Sequence, residues 1–151
     1  VVVETSDLTL SQLRNEIFGK MDITEGPLKV IFTSFGFKHG IPQDSDFVID
    51  VRFLPNPFYE SRLRPLSGRD HEVQDFILSQ DGVSGFFKAL SELMEQVTAL
   101  YRNTGKSTVH IAVGCTGGRH RSVAVVEWLR SKLPDNSLIR HRDIEKDTVV
   151  T

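Results

Sequence analysis

The stretch Ser107-Thr108-Val109-His110-Ile111-Ala112-Val113-Gly114-Cys115-Thr116-Gly117-Gly118-Arg119-His120-Arg121-Ser122 decides the fold of this chain. Its first half, STVHIAVG, is dense in β-branched and small apolar residues and reads as a buried strand. Gly117 and Gly118 break that pattern, and a helix is expected from about Arg119 to Leu133. A buried strand, a glycine loop and a helix opened by basic residues is the layout of an anion site. The first N–H groups of the helix lack intrahelical partners, its dipole is positive at that end, and glycine lets the backbone approach a ligand closely. Arg121 adds a guanidinium fork suited to phosphate oxygens, and Thr116 and Ser122 add hydroxyls. In open α/β sheets, the carboxyl end of the strands is where ligands sit. A simple tight turn has no need of Arg119, His120 and Arg121 in succession.

Working outward, Leu28 to Phe37 and Asp46 to Leu54 are rich in β-branched and aromatic residues and read as strands. Lys38 to Pro42 forms a tight loop between them, and Pro55-Asn56-Pro57 stops the second. Phe58 to Asp70 is long, irregular and basic, with Arg62, Arg64 and Arg69, and loops of this kind are functional or mobile. Helices are expected over 71–80 and 83–102; the second carries a core stripe of Phe86, Phe87, Leu90, Leu93, Met94, Val97 and Leu100. Leu138 to Ile144 reads as a last strand. Upstream, Val1 to Thr5 reads as a strand, and Thr9 with Gln12 caps a helix bearing Leu10, Leu13, Ile17 and Met21. Gly26-Pro27 closes that unit, which gives a junction over 1–26 and a domain over 27–151, cut from a longer protein. The class expected is α/β: a mixed, largely parallel sheet flanked by helices.

The 151 residues are 39% hydrophobic and 25% charged, enough for one real core. No run nears the ~18 apolar residues that span a bilayer, so no membrane partner is expected. No signal peptide is visible, and the single Cys115 excludes an internal disulfide and suits the cytoplasm. The net charge of −2 hides an asymmetry. Residues 1–100 hold 9 Lys/Arg against 15 Asp/Glu, whereas residues 101–151 hold 9 against 5. The positive C-terminal third favours anionic partners.

The same loop raises an enzymatic alternative. Cys115 and Arg121 have the Cys-(five residues)-Arg-Ser spacing of cysteine-dependent phosphatases, in which a helix N-terminus activates the thiol. Gly114 stands where those enzymes usually have histidine, and a general acid would have to come from Asp44, Asp46 or Asp50. A buried structural cysteine lending its backbone to the loop is the preferred reading, and the chain is read as non-catalytic, with a purely structural oligomerisation module as the remaining alternative. Gly105-Lys106-Ser107 resembles the end of a Walker A loop but lacks the first glycine and leads into a strand. His141-Arg142-Asp143 resembles a kinase catalytic loop but lacks its asparagine. His39, His71 and His120 have no metal-site spacing, so no metal is expected.

Four ordered motifs together resemble the RapZ/YvcJ family. They are Ser34 to Gly40 (SFGFKHG), Asp50 to Pro57 (DVRFLPNP), Leu63-Arg64-Pro65, and Gly114 to Ser122, with Arg140-His141-Arg142-Asp143 matching a late basic segment. The resemblance implies a fold similar to the sugar-phosphate domain of phosphofructokinases. It also implies a preceding P-loop domain that would take ATP or GTP, so no cofactor is expected in this fragment. By resemblance, the domain senses glucosamine-6-phosphate, self-associates into a homodimer or higher oligomer, and serves an RNase adapter that presents small regulatory RNA to an endoribonuclease. The phosphosugar site would then use His39, Thr116, Gly117 and Arg121, with Arg52, Gly118, Arg119, His120 and Ser122 nearby. The last residues, Glu145 to Thr151, hold a single lysine where enterobacterial members carry a lysine-rich tail. RNA phosphates would then fall to Arg119, Arg140, Arg142 and Lys146.

Overall fold

Strand β1 (Lys29–Gly36) runs parallel to β3 (Thr108–Cys115), from Lys29 opposite Thr108 to Gly36 opposite Cys115. The computed structural model describes residues 27–133 and 137–146; the strand and helix expected within 1–26 lie outside the described residues. β2 (Phe47–Asp50) flanks β3, and β4 (Ser137–His141) flanks β1, giving the order β2-β3-β1-β4 with every pair parallel. The expected α/β class with a largely parallel sheet is therefore what the described strands form. Parallel neighbours need crossover connections. Helices α1 (His71–Leu78) and α2 (Val83–Arg102) carry the chain from β2 to β3, and α3 (Arg121–Lys132) carries it from β3 to β4.

Alternate residues of the strands, Val30 and Phe32 of β1 and Val109, Ile111 and Val113 of β3, share one core with Ile77, Phe87, Met94, Val125 and Leu129 of the helices. Each fully buried side chain of this size contributes roughly 1.5–3 kcal/mol. The first turns of α3 are buried on all sides, Arg121 to Val126 included, so this helix sits between sheet and α1 rather than on the surface.

Four sequence expectations are refined. β2 stops at Asp50, because the Asp50 carboxylate accepts the Arg52 N–H (2.9 Å) and Leu54 N–H bonds back to the Val51 carbonyl (3.1 Å), turning the chain out of the sheet. β4 likewise ends at His141, and residues 142–146 form turns. The segment after Phe58 is organised into hydrogen-bonded turns rather than left irregular. Turns bonded to the Glu60 carbonyl bury Leu63 completely, and Gly68 N–H reaches the Arg119 carbonyl (3.0 Å). On α2 the buried face is Val83, Phe87, Leu90, Met94 and Thr98, whereas Leu93 and Leu100 are exposed. Those two leucines lie one helical step off the stripe, and the buried Thr98 hydroxyl is satisfied by the Met94 carbonyl (2.9 Å). No helix among the described residues is long and apolar enough to cross a membrane.

Candidate functional site

The glycine loop lies at the carboxyl ends of β1 and β3, where Gly36 stands opposite Cys115. Gly118 has φ +84, and a Cβ there would come within 2.6 Å of the Gly36 nitrogen and 2.9 Å of the Asp143 Cβ. Loop and strand thus touch backbone to backbone, which only glycine permits. Gly114 is fixed by packing instead: a Cβ would lie 2.5 Å from the Phe35 ring, which leaves no room for the histidine of the phosphatase pattern.

Cys115 is buried at the base of the loop. Its Sγ lies 3.1 Å from the Ser122 hydroxyl and accepts the Gly118 N–H at 3.3 Å. Arg121, also buried, donates through Nη1 to the carbonyls of Arg52 (2.6 Å) and Leu54 (3.2 Å), and through Nη2 to the Thr116 hydroxyl (3.3 Å). Arg119 donates to the carbonyls of Leu66 (3.2 Å), Ile144 (2.8 Å) and Pro65 (2.8 Å). Carbonyls orient these two guanidiniums without neutralising them, and among the described residues no carboxylate lies within ion-pair distance of either. The buried His120 ring bonds the Arg64 carbonyl through Nε2 (3.2 Å), which makes Nε2 the protonated nitrogen. Burial pushes the His120 pKa down, and Arg119 works in the same direction against the hydrogen bond to Arg64.

A cavity of about 340 Å³ opens on this loop, lined by Cys115, Thr116, Gly117, Arg119, His120 and Arg121 on one side. Lys38, whose N–H bonds the Thr116 carbonyl (3.3 Å), and Asn56, Phe58, Tyr59 and Arg64 complete the lining. This volume lies at the lower end of small-molecule sites and exceeds what a bare phosphate needs. The sequence candidates therefore divide. Thr116, Gly117, Arg119, His120 and Arg121 face the cavity, while Gly118 and Ser122 support it from behind. His39 lies on the turn after β1, its carbonyl bonded by Arg142 (3.3 Å), and does not line the cavity. Arg52 points elsewhere: its guanidinium pairs with Asp50 (2.7 Å) and lies 4.0 Å over the Phe37 ring. That pairing is what holds the Asp50 carboxyl below its usual range. Asp44, Asp46 and Asp50 do not line the cavity either.

Beneath the loop is a buried carboxylate. Asp143 accepts the Gly36 N–H (2.8 Å) and pairs with Arg142 (2.8 Å) and Lys146 (2.7 Å), while Arg142 also bonds the carbonyls of His39 and Gly40. Burial pushes the Asp143 pKa up, but bonds from Arg142, Gly36 and Lys146 outweigh it and bring it down to about 2. His141 bridges Ser34 (2.7 Å) and Glu127 (2.9 Å), joining β1 to α3, and burial lowers its pKa against the pull of Glu127. Of the residues considered for RNA, Arg140 is exposed on β4, whereas Arg119, Arg142 and Lys146 are engaged in these internal contacts.

The sequence gives no direct sign of the aromatic and polar wall. Asn56, Phe58, Tyr59 and Arg64 reach the cavity only through turns, and the signal available in sequence was the length and basic character of that segment.

The family described as RapZ C-terminal domain matches residues 28–145. A nucleotide-binding protein of Heliobacterium modesticaldum is 43% identical over 152 residues, covering 97% of this chain and 50% of the relative. Nucleotide-binding proteins of Corynebacterium glutamicum and Clostridium botulinum are each 45% identical across 97% of this chain, which covers 49% and 52% of their lengths. The chain spans about half the length of these curated relatives.

Proposed function

The chain belongs to the RapZ C-terminal domain family, and on that premise we propose that its glycine loop binds the phosphate of a small phosphorylated sugar, with glucosamine-6-phosphate the first candidate. One observation carries the reading. Arg121 is buried and anchored by two backbone carbonyls, stands beside the Thr116 hydroxyl, and has no carboxylate partner among the described residues. Such a guanidinium is a preformed half of a charge-assisted phosphate grip. In this reading the domain is a sensor rather than a catalyst. It serves a longer homo-oligomeric protein that binds small regulatory RNA and an endoribonuclease, and ATP or GTP belongs to the half of the relatives that this chain does not span. Three or four charge-assisted bonds at ~1.5–3 kcal/mol each, together with burial of the sugar ring and set against the cost of association, are in keeping with a dissociation constant of about 10 µM to 1 mM. Calorimetric titration with glucosamine-6-phosphate, glucose-6-phosphate, glucosamine and inorganic phosphate tests it. Sugar phosphates and phosphate are expected to bind and glucosamine is not; heat from glucosamine alone, or none from any phosphate, sinks the reading.

A second reading rests on the Cys115 thiol, which meets a serine hydroxyl and a backbone N–H as a phosphatase nucleophile would. Against it, the cavity lining holds no carboxyl group to protonate a leaving oxygen. Aryl-phosphate turnover that vanishes in Cys115→Ser would establish the phosphatase over the sensor.

A further inference from the structure

Phe58 and Tyr59 are large aromatic side chains left 44% and 80% exposed, and both line the cavity that ends at the phosphate loop. They are not loosely held. Both belong to one short 3₁₀ turn, Pro57–Tyr59, whose first residue is buried. The Asn56 side chain accepts the Phe58 N–H (3.1 Å), and Glu60 N–H closes the turn on the Pro57 carbonyl (3.0 Å). Arg64 clamps the far side, donating to the Phe58 carbonyl (2.9 Å) with its guanidinium 4.7 Å from the Phe58 ring centre. The chain enters this turn from Leu54, whose carbonyl is held by Arg121 itself. Loop and aromatic turn are thus fixed to one another through the residue expected to grip phosphate.

From this arrangement we infer that the face of Tyr59, braced edge-to-face by Phe58 with the ring planes 82° apart, forms a stacking shelf for the ring of the bound ligand, so that the site selects cyclic sugar phosphates over open-chain phosphates of equal charge. The inference rests on the phosphate-binding reading and deepens it. The cavity holds more than a phosphate, and an aromatic face is the surface that rewards a ring presenting a flat row of C–H groups. An open-chain polyol phosphate carries the same anion but must lose several torsions to lie flat, which costs affinity. Charge does not discriminate between the two, so the shelf supplies the selectivity.

The experiment compares glucose-6-phosphate, sorbitol-6-phosphate and inorganic phosphate by calorimetry on the wild-type chain, Tyr59→Ala, Tyr59→Phe and Arg121→Lys. Tyr59 is too exposed for its truncation to unfold the domain. The wild type is expected to favour the cyclic ligand. Tyr59→Ala should weaken that ligand by about 5- to 10-fold, the size of one lost ring-face contact, and leave inorganic phosphate unchanged. Tyr59→Phe should behave as wild type. A cyclic-to-open ratio near one in the wild type, or a ratio untouched by Tyr59→Ala, overturns the shelf while Arg121-dependent phosphate binding keeps the loop reading intact. Inorganic phosphate that fails to bind, or binds equally well to Arg121→Lys, overturns the loop reading and the shelf with it.

Discussion

Arg121 links the stability of the domain to the proposed phosphate site, and replacing it should damage both in separable amounts. Arg121→Ala should abolish phosphate binding without unfolding the domain, yet at a cost in stability. The cost arises because the side chain is buried and donates to the carbonyls of Arg52 and Leu54. A carbonyl left without its donor costs about 1–3 kcal/mol, less where water can enter. The Leu54 contact is the buried one of the two. A loss of about 2–4 kcal/mol follows, and for a chain of this size that lowers Tm by roughly 5–15 °C.

Arg121→Lys separates the two roles, since it keeps a positive charge but has no planar fork to serve two carbonyls and a phosphate together. Its phosphate affinity should fall by about 30- to 1000-fold, equivalent to about 2–4 kcal/mol of charge-assisted bonding. The assay is thermal unfolding with and without ligand. Ligand at 100 times its Kd adds about 2.7 kcal/mol to wild-type stability, roughly 5–10 °C in Tm, and should add almost nothing to the lysine variant. An Arg121→Ala melt within about 2 °C of wild type would refute the carbonyl-tethering argument. A full ligand-induced shift in Arg121→Lys would refute the site.

Gly118→Ala should cost roughly 2–4 kcal/mol, because φ is +84 and the new Cβ meets the Gly36 backbone and Asp143; Gly85→Ala, in open space on α2, should raise stability by about 0.4–1 kcal/mol in the same urea titration. The Asp143 carboxyl is held down at about 2, well below the 3.8 of an ordinary aspartate, so its contribution is present above pH 4 and is lost as pH falls toward 2. Allowing for the half-exposed Lys146, that contribution is about 1–2 kcal/mol, and urea midpoints for Asp143→Asn should lack this acid-side decline. His141, whose pKa is lowered by burial, adds a separate loss that begins as pH drops below 6.5, and His141→Gln should remove it; an unchanged slope between pH 6.5 and 5 would show that His141 is not its source. The cavity lining offers an amine only neutral acceptors such as the Asn56 carbonyl, so glucosamine-6-phosphate and glucose-6-phosphate should bind within about tenfold of one another. A larger gap measured by calorimetry would mean a carboxylate reaches the ligand.

The strand, glycine loop and helix that make up the candidate phosphate site were legible because they are contiguous: a strand, two glycines and a helix opened by Arg121 lie within 107–122. Periodicity likewise exposed α1, α2 and the paired strands β1 and β3. It failed where tertiary contacts end an element. Nothing in DVRFLPNP shows that the Asp50 side chain will cap its own strand, or that Arg52 will turn back onto Asp50 and Phe37 rather than toward the loop. His39 is drawn aside in the same way, since Arg142 holds its carbonyl and that arginine comes from the other end of the domain. The aromatic wall was hidden because Tyr59 and Cys115 meet only in three dimensions.

His141-Arg142-Asp143 gains its meaning from the structure. The triplet lacks the kinase pattern, yet each member braces the site from behind: His141 ties β1 to α3, Arg142 fixes the turn carrying His39, and Asp143 holds the Gly36 amide against which Gly118 packs. A loop braced at its base by a buried carboxylate, and along its side by Arg119 and Arg121 on backbone carbonyls, has little freedom left to lose when a ligand arrives. The ordering cost of binding is then small at the phosphate end. It falls instead on the exposed Tyr59, the one large ring in the cavity wall that is mostly free of packing. On the proposed reading, a rigid anion grip with an adaptable ring contact would let one phosphate cradle serve as anchor while the shelf sets which sugar is retained.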